Sequence, residues 1–273
     1  ACRTMPLSGL EKAEAIVAVN FDPDHIVPVA GYHVKRAARA GIPIVTIDYR
    51  RTGLYPFACA RISPDSGNGC AANIAALISA LGAEIAQNNE HDINFINRYT
   101  RGWDSYKTQI NEFLAKQPLS AKEDKKIKKA AEMISGRKIA LVIGADTMEH
   151  EHGSQIADAA FNLALLTGSI GAGNSGIFIP APESNTLGAM DMGTLPNMLP
   201  GRKPLSDNDS RQNLERLWNT KLSPDPGLDL PGIIEAAETG HLKGLYIMGE
   251  NPIRALPENS RIEAALKKLD FIV

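Results

Sequence analysis

Apolar residues along this chain fall into short unbroken runs separated by segments of helical period. Ala15-Ile16-Val17-Ala18-Val19 is one such run, ended by Asn20 and by Asp22-Pro23, the pattern of a strand covered on both faces. From Val29 to Ala40 the period changes. Val34, Ala37 and Ala38 share one helical face, Lys35, Arg36 and Arg39 take the other, and Gly41 can close the helix. Ile42 to Asp48 then reads as a second strand, so strand, helix and strand within ~30 residues predict a right-handed βαβ unit. Between Asn68 and Ala86, residues Ala72, Ile74, Ala75, Leu77, Ile78 and Leu81 predict a helix buried on most sides.

Residues 91–135 are patterned differently. Phe95, Tyr99, Trp103 and Tyr106 form an aromatic cluster, and a lysine-rich helix is predicted from Ser120 to Ser135, with Ser120 and Asp124 at its start. Lys122, Lys125, Lys126, Lys128 and Lys129 lie opposite Ala130, Ala131, Met133 and Ile134, which reads as a solvated helix face rather than a polyanion site. A second α/β unit begins at Lys138-Ile-Ala-Leu-Val-Ile-Gly144, with a helix over Gly153–Thr167. A Gly-, Pro- and Asn-rich stretch with little periodicity follows over 168–210, the kind of long loop that is usually functional. Helix 231–240, strand Gly244–Met248, helix 260–269 and a strand from Asp270 complete the pattern. The two predicted domains are 1–135 and 136–273.

Composition sharpens this only in places. Hydrophobic residues make up 44% of the chain and aromatic ones 5%, which favours helices over parallel strands to an aromatic-rich sandwich. The net charge of −2 gives no global attraction to nucleic acid or to an anionic membrane. No apolar run approaches the ~20 residues needed to span a bilayer, so no direct membrane insertion is expected. Cys2, Cys59 and Cys70 form no CxxC pair, and reduced, buried thiols in a cytoplasmic protein are the expectation. The start lacks a leader pattern and an initiator methionine, and the chain stops within an apparent strand at Phe271-Ile272-Val273. We therefore expect a piece of a longer polypeptide.

Four segments carry candidate chemistry. Thr46-Ile47-Asp48-Tyr49-Arg50-Arg51-Thr52 ends the second strand, where ligands bind in open α/β sheets. Asp48 can accept from ribose hydroxyls or a guanine edge, and arginine can hold phosphate; an Asp capping a loop beside solvated arginines is the plainer alternative. Val142-Ile143-Gly144-Ala145-Asp146-Thr147 is a strand followed by a glycine turn. Ile247-Met248-Gly249-Glu250-Asn251-Pro252 is another, in which Gly249 permits close backbone approach and Asn251 can read a heterocycle edge or simply start a helix. Leu165-Leu166-Thr167-Gly168-Ser169-Ile170-Gly171 leads to Pro182-Glu183-Ser184-Asn185 and on to Asp191-Met192-Gly193-Thr194-Leu195-Pro196-Asn197. Its glycines can present backbone N–H groups to phosphate or a flat ring. None of these matches the dinucleotide fingerprint or a P-loop.

The order and spacing of these segments resemble the molybdopterin oxidoreductase superfamily. The likeness is greatest to the formate dehydrogenase large subunit and to the large iron–sulfur subunit of bacterial NADH:quinone oxidoreductase. It runs from Leu10-Glu-Lys-Ala-Glu-Ala-Ile-Val17, through Asp48–Thr52 and Asn162–Gly171, to Met248–Pro252; Gly188–Asn197 is its most specific stretch. The resemblance implies two Rossmann-like, doubly wound parallel-sheet domains of the formate dehydrogenase/DMSO reductase type. It also implies a bis(molybdopterin guanine dinucleotide) cofactor between them. Asp22, Asp48 and Arg50 would lie near one nucleotide. Gly144, Asp146, Gly249, Glu250 and Asn251 would lie near the other, with Gly168 and Asn185 in the loop approaching the cofactor. Iron–sulfur clusters would be held only by regions before the part matched here. The implied partners are the rest of the same subunit and other subunits of a redox complex, peripheral to a membrane if attached to one.

Several positions depart from the family pattern. Asn20-Phe21-Asp22-Pro23 replaces a Gly-x-Asn-Pro turn, and Asp48-Tyr49-Arg50 replaces Asp-Pro-Arg. Ser63-Pro64-Asp65-Ser66-Gly67 replaces Arg-Pro-Gly-Thr-Asp, and an acid at Asp65 would repel a phosphate by ~1 kcal/mol or more. Pro182-Glu183-Ser184-Asn185 is closer to the respiratory subunit than to the Arg-Gly-Gln-Asn of formate dehydrogenases. Two further readings stand beside cofactor binding: a vestigial scaffold or assembly module of a respiratory complex, and a stand-alone dinucleotide-dependent dehydrogenase. His150 and His152 have too few companions for a metal site. His25 and His33 read as surface or capping residues, and Cys59 and Cys70 as inert thiols.

Overall fold

The computed structural model describes residues 5–25, 27–64, 71–116, 119–144, 147, 152–180 and 185–273, with backbone only for 71–73. The chain divides into two units, Ala1–Pro182 and Glu183–Val273.

The first unit is built on a five-stranded sheet. Its strands are β1 (Ala15–Val19), β2 (Ile44–Ile47), β3 (Ala60–Ile62), β4 (Ile139–Ile143) and β5 (Gly176–Phe178), in the spatial order β3-β2-β1-β4-β5. Every neighbouring pair is parallel. β1 and β4 pair along their whole lengths, from Ala15 against Ile139 to Val19 against Ile143. The chain therefore does not divide at residue 135: β4 continues the sheet that β1 begins, and the second expected domain start is the fourth strand of the first. Parallel neighbours need long crossovers rather than tight turns, and the span from β3 to β4 is such a crossover.

Helices cover both faces of this sheet. α1 (Pro28–Arg39) and a 3-10 turn (Leu7–Lys12) lie on one face. α2 (Ala71–Gln87), α5 (Ala121–Ile134) and α6 (Gly153–Leu166) lie on the other, while α3 (Ile93–Tyr99) and α4 (Trp103–Lys116) pack outside α6 and α2. The pleat sorts the strand residues between two cores. Val17, Val19, Val45, Ile47, Leu141 and Ile143 face Ile74, Leu81, Ile127 and Leu163. Ile16, Ala18, Ile44, Ala140 and Val142 face Leu10, Ala30, Val34 and Leu54. Burial on both faces is why β1 and β4 are unbroken apolar runs and β2 is one apart from Thr46. α5 begins with a reciprocal capping box between Ser120 and Glu123, so the residue whose side chain completes the cap is Glu123, while Asp124 donates its N–H to Ser120 O at 2.9 Å.

The stretch 168–210 is not one loop. Its described residues include β5, α7 (Thr186–Asp191) and an antiparallel pair, β6 (Met198–Leu199) with β7 (Lys203–Pro204). The second unit then carries α8 (Asn208–Trp218), α9 (Leu230–Glu238), β8 (Gly244–Leu245), α10 (Pro252–Ala255), α11 (Asn259–Leu266) and β9 (Phe271–Ile272). β8 and β9 are parallel, and a small core of Ile234, Ala237, Ile262, Ala265 and Leu266 joins α9 to α11. Among the described residues no helix is long and apolar enough to cross a membrane.

Leu81 is fully buried in the main core. Leu81→Ala removes its methyl groups and leaves a cavity, at a cost of about 2–5 kcal/mol. A urea midpoint lowered in proportion, with an unchanged slope, is the expected result.

Candidate nucleotide cleft at the carboxyl edge of the sheet

With the order β3-β2-β1-β4-β5, connections leave β1 in opposite directions, and a crevice opens at the carboxyl ends of β1 and β4. Asn20 follows β1, Asp48 follows β2 and Gly144 follows β4. Backbone bonds hold these three chain exits level. Asn20 N–H donates to Ile47 O at 2.9 Å, Asp48 N–H to Ile62 O at 3.1 Å and Gly144 N–H to Val19 O at 3.0 Å. Asn20 reaches this position with φ at 44°, a left-handed geometry that Asn tolerates better than most residues.

The loops after β1 and β2 then close on each other. A Cβ on Gly31 would stand 2.0 Å from Pro23 Cβ, and one on Gly53 would stand 1.8 Å from Asp24 Oδ2. Glycine at both positions is what lets α1 and the second loop approach the turn Asp22–His25. Within that turn, Asp22 Oδ1 accepts from Asp24 N–H at 3.3 Å and Asp22 Oδ2 meets His25 Nδ1 at 3.0 Å. Asp24 pairs with Lys35 at 2.6 Å, and His33 pairs with Glu11. His25 is exposed and makes a local contact, as expected of a surface residue, whereas His33 is part-buried and ties α1 to Glu11 in the 3-10 turn far from it in sequence.

Three buried side chains at this edge have a polar atom with no protein partner. They are Asn20 Oδ1, Asp48 Oδ2 and Thr147 Oγ1, on residues only 5%, 7% and 1% exposed. Such groups cost about 1–3 kcal/mol each when left unmatched. A core built only for stability would have replaced them. Asp48 Oδ1 is satisfied, accepting Arg50 N–H at 2.7 Å with Arg50 Nε at 3.5 Å. Burial nevertheless outweighs Arg50, and Asp22 adds repulsion, so the Asp48 carboxyl is held above its usual pKa. Tyr49 stands half-exposed beside it, with the Arg50 guanidinium 4.9 Å from its ring centre. The edge thus offers acceptors and one charged carboxylate to a ligand rich in N–H or O–H donors, such as a ribose or a purine edge.

The other predicted site residues do not all gather here. Asp146 lies outside the described residues, as do Asp65–Gly67, His150, Cys2 and Cys70. Gly168 sits at the opposite edge of the sheet. A Cβ there would meet Lys138 Nζ and Asp92 Oδ2, and its neighbour Ser169 accepts the N–H of Ile139 at the start of β4. The reason is topological: α6 runs back along β4, so the turn that ends it must emerge at the amino edge. Gly168, with φ at 60°, ends that helix. His152 is the N-cap residue of α6, and among the described residues no group of three His, Cys, Asp or Glu is placed to hold a metal. Cys59 is exposed, against the expectation of a buried thiol, because it precedes β3 at the sheet border.

Within the second unit, Gly249, Glu250 and Asn251 form the turn after β8. Gly249 has φ at 69°. Glu250 Oε1 accepts Asn251 N–H at 2.9 Å, and Asn251 Oδ1 accepts Arg254 N–H at 3.3 Å as the cap of α10. The side-chain carbonyl of Asn251 is thus engaged in starting a helix. A mostly apolar pocket of about 390 Å³ lies beside Glu250, between Leu230, Ile234, Tyr246 and Met248. Asn185 precedes α7 in a left-handed conformation and lies over Gly188. Asn20, Thr147, Gly31 and Gly53 were not among the predicted site residues. Asn20, in the altered turn Asn20–Pro23, and Thr147, in the Gly144–Thr147 segment, lay inside motifs read from the sequence; Gly31 and Gly53 did not.

Burial of Asp48 sets a pH dependence. With the folded-state pKa raised above the unfolded one, the native state holds the proton more tightly, so this group's contribution to stability falls as pH rises through that interval. Asp48→Asn should therefore melt a few degrees higher than the parent at neutral pH, roughly 2–4 °C per kcal/mol recovered. The gap should shrink as pH falls toward 4, which melting curves across pH 4–8 would show. Gly31→Ala should destabilise by about 1–3 kcal/mol through its clash with Pro23, read by the same melts.

Comparison with known proteins agrees with this architecture. The molybdopterin oxidoreductase family model matches residues 1–273. The chain is 31% identical to the F420-dependent formate dehydrogenase subunit alpha of Methanocaldococcus jannaschii, over 99% of this chain and 39% of that protein. It is 25% identical to formate dehydrogenase H of Escherichia coli, over 98% and 37%. Among solved structures, acetylene hydratase from Pelobacter acetylenicus shares the fold with a TM-score of 0.62 at 16% identity, over 97% of this chain and 41% of that one. The chain thus spans about two-fifths of the length of these relatives. With the family model matched along the whole sequence, the chain belongs to the molybdopterin oxidoreductase family.

Proposed function

We propose that the carboxyl edge of the five-stranded sheet holds one guanine nucleotide end of a molybdopterin cofactor, in an oxidoreductase subunit of the formate dehydrogenase type. The observation that carries this reading is the set of buried acceptors Asn20 Oδ1, Asp48 Oδ2 and Thr147 Oγ1, left unmatched at the switch point of the sheet. They suit the group: a guanine edge and a ribose both present donors, and Asp48 sits where nucleotide-binding α/β sheets place an acidic residue. Arg50, tied to Asp48, sets the direction of the carboxylate. When bound, such a cofactor supplies the metal centre for the redox step, while the protein binds, orients and sets the electrostatics. In the second unit, Gly249 and Glu250 are the residues proposed for the other nucleotide. Electron-transfer clusters and partner subunits belong to the same proposal for the whole protein.

A specific observation favours the rival reading of a retained scaffold. Asp22, Asp24 and Asp48 crowd the crevice, and carboxylates repel phosphate. Calorimetric titration of the chain with GDP decides between them. Cofactor binding predicts saturable uptake that weakens about tenfold, or 1.4 kcal/mol, in Asp48→Ala and that is unchanged in Asn251→Ala if the first unit binds alone. A folded chain that takes up no GDP, or binds it equally well without Asp48, leaves the scaffold reading in its place.

A further inference from the structure

Arginines and aromatic rings alternate in space from α1 to β3. Arg36 lies 5.6 Å from the centre of Tyr32, Arg39 lies 5.8 Å from Phe57, and Arg50 lies over Tyr49. Arg51 and Arg61 share one ring, at 4.4 and 4.1 Å from the centre of Tyr55. Arg36 also has a carboxylate, Glu11 at 3.2 Å, and Arg50 has Asp48. Arg39, Arg51 and Arg61 have no carboxylate partner among the described residues.

These three stand on stiff supports. Tyr55 and Phe57 belong to a 3-10 turn, Tyr55–Phe57, built around Pro56. Arg61 is the outward residue of the border strand β3, between buried Ala60 and Ile62, and its Nε donates to Tyr55 O at 2.8 Å. Arg39 is the last residue of α1. The guanidiniums are therefore held beside their rings before anything binds, on three exposed residues. Two like charges around one ring repel each other, and an anion placed between them relieves that repulsion. The same field lowers the pKa of the Tyr55 hydroxyl, chiefly through its hydrogen bond with Arg51.

We propose that the surface formed by Arg39, Arg51, Tyr55, Phe57 and Arg61 docks an acidic segment of a partner polypeptide. Carboxylates match the guanidinium fork bidentately. Arginine with tyrosine or phenylalanine is also the composition that dominates the energetic centres of protein interfaces. A nucleic acid fits less well. Beyond the patch, among the described residues, Lys35, Arg36 and Arg50 are paired with Asp24, Glu11 and Asp48, so carboxylates interrupt the cationic surface that a phosphate backbone would follow. This inference does not depend on nucleotide binding, which uses a different set of atoms.

The test is fluorescence anisotropy of the full chain with a labelled ten-residue glutamate–glycine peptide, beside an oligothymidylate of equal length, with inorganic phosphate as competitor. Saturable peptide binding that weakens about tenfold in the double variant Arg51→Gln/Arg61→Gln is expected. Arg51→Lys/Arg61→Lys should also weaken it, since charge remains but the fork is lost. Arg39→Gln, a second variant at a helix end, should cost about threefold, and Arg98→Gln, remote on α3, should cost nothing. Absent peptide binding, affinity indifferent to the arginine variants, equal loss in Arg98→Gln, or tighter binding of the oligonucleotide or phosphate would each overturn the proposal.

Discussion

Strand β1 is hydrogen-bonded on both sides, to β2 and to β4, in register along its length. Because all five strands run parallel, their carboxyl ends must share one edge and every returning helix must end at the other. That single constraint arranges most of the first unit. It puts Asn20, Asp48 and Gly144 within one row of loops, and it sends the end of α6, with Gly168, to the far side. It also requires mostly apolar side chains on both faces of each central strand; Thr46 within β2 is the exception, and the other buried polar groups of this edge lie where strands end.

The polar groups admitted there are not neutral to stability. Asn20, Asp48 and Thr147 are as buried as much of the core, yet each keeps an unmatched oxygen. They stand at the switch point of the sheet, the place where open α/β sheets receive ligands, and it is this position that the proposed cleft rests on. The surrounding carboxylates act in the opposite sense. Lys35 and Arg50 offset part of that negative charge, which leaves a crevice better suited to donor-rich rings and ribose than to bare phosphate. The proposed occupant, a nucleotide-bearing cofactor, must therefore be held against these local electrostatics.

The second unit rests on different physics. Its core joins two helices, α9 and α11, and its strands β8 and β9 are two residues each. Leu230, Tyr246, Met248, Phe271 and Ile272 remain largely exposed, so local capping does much of the ordering. Asp207, Asp229 and Asn251 each accept a backbone N–H at the start of a helix. Motif reading marked Asn251 for its amide chemistry. The geometry assigns its carbonyl to the cap, which is why the turn after β8 offers less free recognition chemistry than its sequence suggests.

The sequence by itself determined the α/β class, the family, and the strands β1, β2 and β4, because a strand buried on both faces is a mostly apolar run. It also marked Asp48 and Gly144, since chain ends after such runs carry the polar residues. It did not reveal β3 or β5, three residues each and interrupted by Arg61 or opened by Gly176, because their strand character comes from pairing partners rather than from pattern. Nor could it show that β4 lies beside β1, which moved the division of the chain from near 135 to after Pro182: strand order depends on long-range packing, and a local period carries no record of it. The same holds for the buried oxygens of Asn20 and Thr147 and for the two arginines on Tyr55. Each is an ordinary polar residue in the sequence, and only the tertiary structure decides what surrounds it.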